Sequence, residues 1–149
     1  MSLYVILCAL FALFALFVVL LYNYYKYKAA SPIATSIAPE IYCVGKNKYR
    51  YVGAYDVCKA LNGRLATYSE LLEAYKAGAD WCNIGWCQDQ KAYYIAQSSN
   101  DGCMTGVIGG NMPAQLPLGA VCYGLKPDAV VGKKYDILPW NKTQWSRKI

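Results

Sequence analysis

The chain has 149 residues, no histidine, seven cysteines and a net charge of +6 from fifteen basic and nine acidic side chains. The absence of histidine removes the commonest general base and a frequent zinc ligand. Acidic and basic residues are interspersed rather than blocked, so no nucleic-acid partner is expected, and the cationic excess suits anionic lipid headgroups or an acidic partner.

Residues Leu3 to Tyr22, LYVILCALFALFALFVVLLY, run for twenty positions without a charge. As a helix they span about 30 Å, the thickness of a bilayer's hydrocarbon core. A cleaved signal peptide fits less well, because Met1-Ser2 provides no basic n-region and the apolar run is too long. Residues 1–28 therefore read as a transmembrane anchor with its flank, and Tyr22, Tyr24, Tyr25 and Tyr27 cluster where it leaves the membrane. Every Lys and Arg lies beyond this run, beginning with Lys26 and Lys28, which by the positive-inside tendency directs the C-terminal part to the cytosol. The cysteines point the other way, to an oxidising compartment. Cys8 sits in the anchor as a small apolar residue, leaving six: Cys43, Cys58, Cys82, Cys87, Cys103 and Cys122.

Residues 29–40, AASPIATSIAPE, carry two prolines and no hydrophobic periodicity and read as a linker with a reach of about 40 Å. The segment EIYCVGKNKYRYV is rich in Tyr and Val and predicts a strand or hairpin around GKN. AYDVCKALNG spaces Val57, Cys58 and Leu61 as a short helix stopped at Asn62-Gly63. Thr67 and Glu70 form a capping box, Leu71, Leu72, Ala74 and Tyr75 an apolar stripe, and Gly78 a C-terminal cap. Strands are expected near Asn83–Cys87, Lys91–Ala96 and Gly119–Leu125. The class is α+β, with the domain placed at residues 41–125. Residues 126–149 form a tail mixing Trp140, Trp145 and Ile149 with Lys133, Lys134, Lys142, Arg147 and Lys148. It reads either as an irregular segment packed on the domain or as a docking tail.

Metal and catalytic chemistry lack their parts. No C-x-x-C pair occurs, Cys82 and Cys87 are spaced too loosely for a zinc knuckle, and a Ser or Cys nucleophile has no histidine base. GVIGGN at 106–111 lacks the Lys-Ser/Thr and helix of a phosphate loop. The expectation is a non-enzymatic protein without metal or cofactor, stapled by disulfides, each worth about 3 kcal/mol for a twenty-residue loop.

The run from Cys58 through Leu65-Ala66-Thr67, Leu71, Ala74-Tyr75, Gly78, Cys82, Gly85-Trp86 and Asp89-Gln90 to Tyr94 and Cys103 resembles the Link module, the hyaluronan-binding domain of cartilage link protein and related matrix and cell-surface proteins. The resemblance implies two short helices with two small antiparallel sheets, and bridges Cys58–Cys122 and Cys82–Cys103. Cys43 and Cys87 are left over and would form a third. It also implies a glycan grip by Lys48, Tyr49 and Tyr94, with basic groups meeting sugar carboxylates and tyrosines stacking on rings. Thr105 stands where an aromatic residue would help, and the segment from Gly106 to Val121 is short for the family, which removes part of the expected grip.

Two functions follow as expectations. In the first, the protein is a minor capsid or virion membrane protein of a large DNA virus that supplies its own thiol oxidase. It would sit in an internal virion membrane with its C-terminal domain toward the capsid shell, its partners being the lipid bilayer and capsid or other membrane-associated proteins. In the second, the domain lies at a cell surface and binds hyaluronan or another acidic glycan, and Asn141-Lys142-Thr143 is then available for glycosylation.

Overall fold

A computed structural model describes residues 2–29, 38–99 and 102–147. Of the linker, residues 30–37 lie outside the described residues, as do Lys148, Ile149 and the side chains of Tyr25, Lys26, Tyr27 and Lys28. The chain divides into two compact units, an N-terminal helix and a folded domain.

Helix α1 covers Leu3–Ala29. The span Leu3–Tyr24 contains an 18-residue stretch with a mean hydropathy of 3.0 and no buried side chain, so the helix is long and apolar enough to cross a membrane. Being apolar all round, it has no polar face to turn to water.

The domain runs β1 (Glu40–Tyr49), α2 (Tyr51–Ala60), β2 (Arg64–Leu65), α3 (Tyr68–Lys76), β3 (Trp81–Trp86), β4 (Lys91–Ala96), β5 (Gly106–Asn111), β6 (Leu118–Gly124) and α4 (Ala129–Tyr135). The class is α+β as expected. The two antiparallel groups, however, are joined into one sheet of order β1-β6-β3-β4-β5, with β2 also on β6. The join is parallel, where Gly85 and Trp86 of β3 lie beside Gly119 and Ala120 of β6. Gly119 is needed there, since a Cβ on it would come 2.7 Å from Val44 O, and Gly85 keeps the join close, since a Cβ on it would press on the Val121 side chain at 3.0 Å. β1 forms no hairpin at GKN. Lys46 and Asn47 take positive φ, and the strand then resumes its pairing with β6.

The pleat sorts apolar side chains into two cores. On one face Tyr42, Val44, Trp86, Ala92, Ala120 and Leu118 pack against Ala54 and Val57 of α2 and Leu61 at its C-terminal end. On the other Ile41, Cys43, Cys87, Tyr93, Ile95 and Val121 pack against Leu71 and Ala74 of α3. Trp86 is fully buried and donates its indole N–H to Tyr49 O at 3.0 Å, which satisfies its polar edge. The capping box of α3 is formed: Thr67 Oγ1 accepts from Glu70 N at 3.2 Å, and Glu70 Oε2 accepts from Thr67 N at 2.9 Å. Such a cap is worth about 1 kcal/mol.

Cys58–Cys122 ties α2 to β6, and Cys82–Cys103 ties β3 to the segment before β5. The third bridge is not formed, for Cys43 and Cys87 are both buried and unbonded. Cys43 pairs with Val121 of β6, and the register of Trp86 with Ala120 puts Cys87 beside Val121 from the other side. The cysteines thus flank β6, about 9.5 Å apart at two strand spacings, beyond the ~7 Å limit for bridging Cα atoms. Asn83 Nδ2 donates to Cys43 Sγ at 3.6 Å instead.

The compact unit continues past residue 125, where the sequence suggested its boundary. Ile137 and Trp140 are buried, Val44 bridges to Ile137, and Trp81 meets Trp140 edge to face at 6.2 Å. Lys126 is 1% exposed, with its ammonium donating to Leu138 O at 2.7 Å and to Trp145 O, 4.4 Å from the Trp145 ring centroid. Of the two readings of the tail, its described part therefore follows the packed one.

Candidate functional site

The sheet register assembles one row of side chains on the α2 face. Tyr49 of β1 is opposite Leu118 of β6. Leu118 precedes Gly119, the partner of Gly85, and so lies beside Ile84 of β3. Ile84 shares this face of β3, next to the register shift that separates Trp81 from Gly85, and on β4 Tyr94 is opposite Ile108 of β5. Helix α2 packs over the β1, β2 and β6 end of this face. At the other end Ile84, Tyr94 and Ile108 are half-buried and form a shallow apolar surface. Tyr49 and Tyr94 are three strand spacings apart, about 14 Å.

The three residues predicted from sequence have different fates. Tyr94 stays on the open part of the row, its hydroxyl accepting from Met104 N at 3.0 Å. That bond fixes the ring while leaving the phenol O–H free to donate. Tyr49 is half-buried against the α2-side core, and its carbonyl is the acceptor for Trp86, so it acts first as a packing residue. Lys48 is exposed and pairs with Asp136 Oδ2 at 3.3 Å, while Lys46 reaches Asp136 Oδ1 at 2.7 Å. The hydrogen bond to Asp136 raises the Lys48 pKa. The Asp136 carboxyl is held below its ordinary value chiefly by the Lys46 hydrogen bond, which with Lys48 outweighs the opposing effect of desolvation. An incoming sugar carboxylate would therefore share these ammonium groups with Asp136.

Sequence reasoning missed this clamp. Asp136 follows α4 in a left-handed conformation, φ 59°, and nothing in GKKYDIL announced that it would fold back on β1. The backbone contact that brings it there is Gly45 N donating to Asp136 O at 2.9 Å. Ile84 and Ile108 were also missed, although their place in the row follows from strand alternation once β5 is recognised.

Asn141 of the glycosylation triplet is engaged. Its amide nitrogen donates to Gly78 O at 3.2 Å and its amide oxygen accepts from Thr143 N at 3.0 Å. Among the described residues no group of three or more His, Cys, Asp or Glu is placed to hold a metal ion.

The domain is thus a disulfide-stapled α+β sheet with α2 on one face and α3 on the other, an open tyrosine-bearing strand surface and a cationic edge. Residues 40–136 match the family description "Extracellular link domain". The chain belongs to the Link domain family, and the match runs through α4 to the Asp136 clamp.

Proposed function

We propose that the protein is a non-enzymatic, membrane-anchored binding protein whose Link domain engages an acidic glycan of the hyaluronan class. The match over residues 40–136, with the tyrosine-bearing row on its sheet, is the observation that carries this reading. Tyr94 offers a ring for stacking, Ile84 and Ile108 extend the apolar strip, and Lys48 with Lys46 supplies the positive end of the row. The apolar helix Leu3–Tyr24 holds the domain at a bilayer. The test is binding of hyaluronan oligosaccharides to the oxidised full chain in lipid nanodiscs. Specific binding that Tyr94→Ala weakens about tenfold supports the reading. Absence of binding by a correctly folded, disulfide-bonded chain refutes it.

A second reading is favoured by the Lys48–Asp136 pair and the packed Tyr49 ring, which reduce what this surface offers a polymer. In it the domain is a structural tether, a minor capsid protein joining an internal virion membrane to its protein shell. Finding the native protein at a host cell surface and absent from particles would overturn that reading.

A further inference from the structure

On the opposite face of β4 and β5 the same pleat builds a second concavity. Lys91, Tyr93 and Asn111, with Tyr68 at the start of α3, Asp89 and the Gly109–Gly110 backbone, line a cavity of about 450 Å³. That volume lies in the range of small-molecule sites. Tyr94 and its row are on the other side of the strand, because adjacent residues point to opposite faces.

The chemistry of the lining is specific. The Tyr68 and Tyr93 rings meet at 5.0 Å between centroids, tilted by 52°, and form a corner. Tyr68 is 42% exposed, so much of its surface is open. The Tyr93 hydroxyl donates to Asp89 Oδ2 at 2.9 Å, and Lys91 N donates to Asp89 Oδ1 at 3.2 Å. Each carboxylate oxygen is thus oriented by one fixed donor and keeps a lone pair for a second. Burial, then the Asp89 hydrogen bond, pushes the Tyr93 pKa up to about 12, so it remains the donor. Gly109 admits no side chain, because a Cβ would fall 2.0 Å from Ala92 O. The wall there is bare backbone on the last strand of the sheet, whose outer polar groups have no strand partner among the described residues. Lys91 and Asp89 carry opposite charges, so the cavity has no net charge with which to select an acidic ligand, unlike the Lys46–Lys48 edge.

We propose that this cavity is a second carbohydrate site, for a neutral hexopyranose unit. The sugar's apolar ring face lies on Tyr68, two adjacent hydroxyls donate to Asp89, and Lys91 and Asn111 donate to the remaining oxygens. The site is independent of the acidic-glycan reading, as it uses other residues on the other face.

The experiment is saturation-transfer NMR on the oxidised full chain in zwitterionic nanodiscs. The probes are the methyl glycosides of glucose, galactose, mannose and N-acetylglucosamine. The expected result is millimolar binding of at least one probe, weakened about tenfold by Tyr68→Ala and by Asn111→Ala, retained by Tyr68→Phe and unaffected by Tyr94→Ala. Both weakening variants alter exposed side chains, so loss of binding does not reduce to loss of fold. No transfer from any of the glycosides well above millimolar concentration overturns the proposal. So does binding that survives both variants, or binding abolished by Tyr94→Ala. Hyaluronan binding without glycoside binding refutes this site alone, and the reverse result refutes only the acidic-glycan reading.

Discussion

Replacing Lys126 with methionine tests the most unusual electrostatic feature of the domain. The side chain is 1% exposed, and burial lowers its pKa from 10.5 to about 8, although Glu40 and Cys43 oppose the drop. At neutral pH that lowering corresponds to a few kcal/mol held against the charged form, which methionine relieves. Methionine also removes two charge-assisted hydrogen bonds, to Leu138 O and Trp145 O, at about 1.5–3 kcal/mol each. It further loses the contact with the Trp145 ring, worth about 1 kcal/mol or more. The net expectation is a loss of about 2 kcal/mol at pH 7. The sign of the pH dependence is the sharper test. Between pH 8 and 10.5 the folded lysine has released its proton and the unfolded one has not, so the unfolded state binds more protons and wild-type stability rises with pH relative to the variant. The gap should widen by a few kcal/mol between pH 7 and 10. All four tryptophans lie in the domain, so denaturant unfolding followed by their fluorescence reports on it without the apolar helix. A gap that is constant or narrows over this range would refute the claim that Lys126 is charged, buried and strained by its own desolvation.

Asp136→Asn should strengthen binding of acidic oligosaccharides by releasing Lys46 and Lys48, most clearly at low ionic strength where exposed charges are least screened. Asn tolerates the left-handed conformation at 136, so equilibrium binding compared at two salt concentrations checks this without backbone strain, and an unchanged affinity counts against the clamp. Burial pushes the Cys43 thiol up to about 12 and the Cys87 thiol up as well, so maleimide at pH 8 should leave both unmodified until denaturant is added; native labelling at the rate of a free thiol contradicts their burial. Burial raises the Glu70 carboxyl, but hydrogen bonds from Arg64 and Thr67 outweigh it and hold the pKa below the ordinary value. Its stabilising contribution is therefore present above pH about 4.5 and lost as pH falls through the lowered value, and Glu70→Gln should flatten that part of an acid-denaturation curve. Gly109→Ala should cost about 3 kcal/mol by forcing β5 away from β4, seen as loss of amide protection in β5 ahead of β1 and β6.

Local signals were legible where a few neighbouring residues decide the structure. Thr67 and Glu70 specify their cap whatever surrounds them, Gly78 takes the positive φ that ends α3, and the Tyr- and Ile-rich run KAYYIA marks β4. Strand β5 was not legible, because GVIGGN has too few apolar side chains to show a period and its glycine is set by the approach of β4, a long-range contact. The Cys43–Cys87 pairing failed for the same reason. Counting cysteines says nothing of which strand runs between them, and β6, from the far end of the domain, is inserted between β1 and β3. The charge of Lys126 gave no hint that the chain would wrap it in carbonyls, and Asp136 reaches the candidate site only because α4 returns to β1.

The position of β1 bears on how the domain carries mechanical load. Force arriving from the N-terminal side enters at Glu40 and meets five consecutive pairings, from Glu40–Gly124 to Val44–Ala120. Behind them β6 is fastened covalently to α2 through Cys122, and the Glu40 carboxylate holds Arg147 N at 2.8 Å. A pull along the strand must break these bonds together, as a shear, instead of unzipping them one at a time. A domain held at one surface and gripping something at another would thus be loaded through the β1–β6 seam.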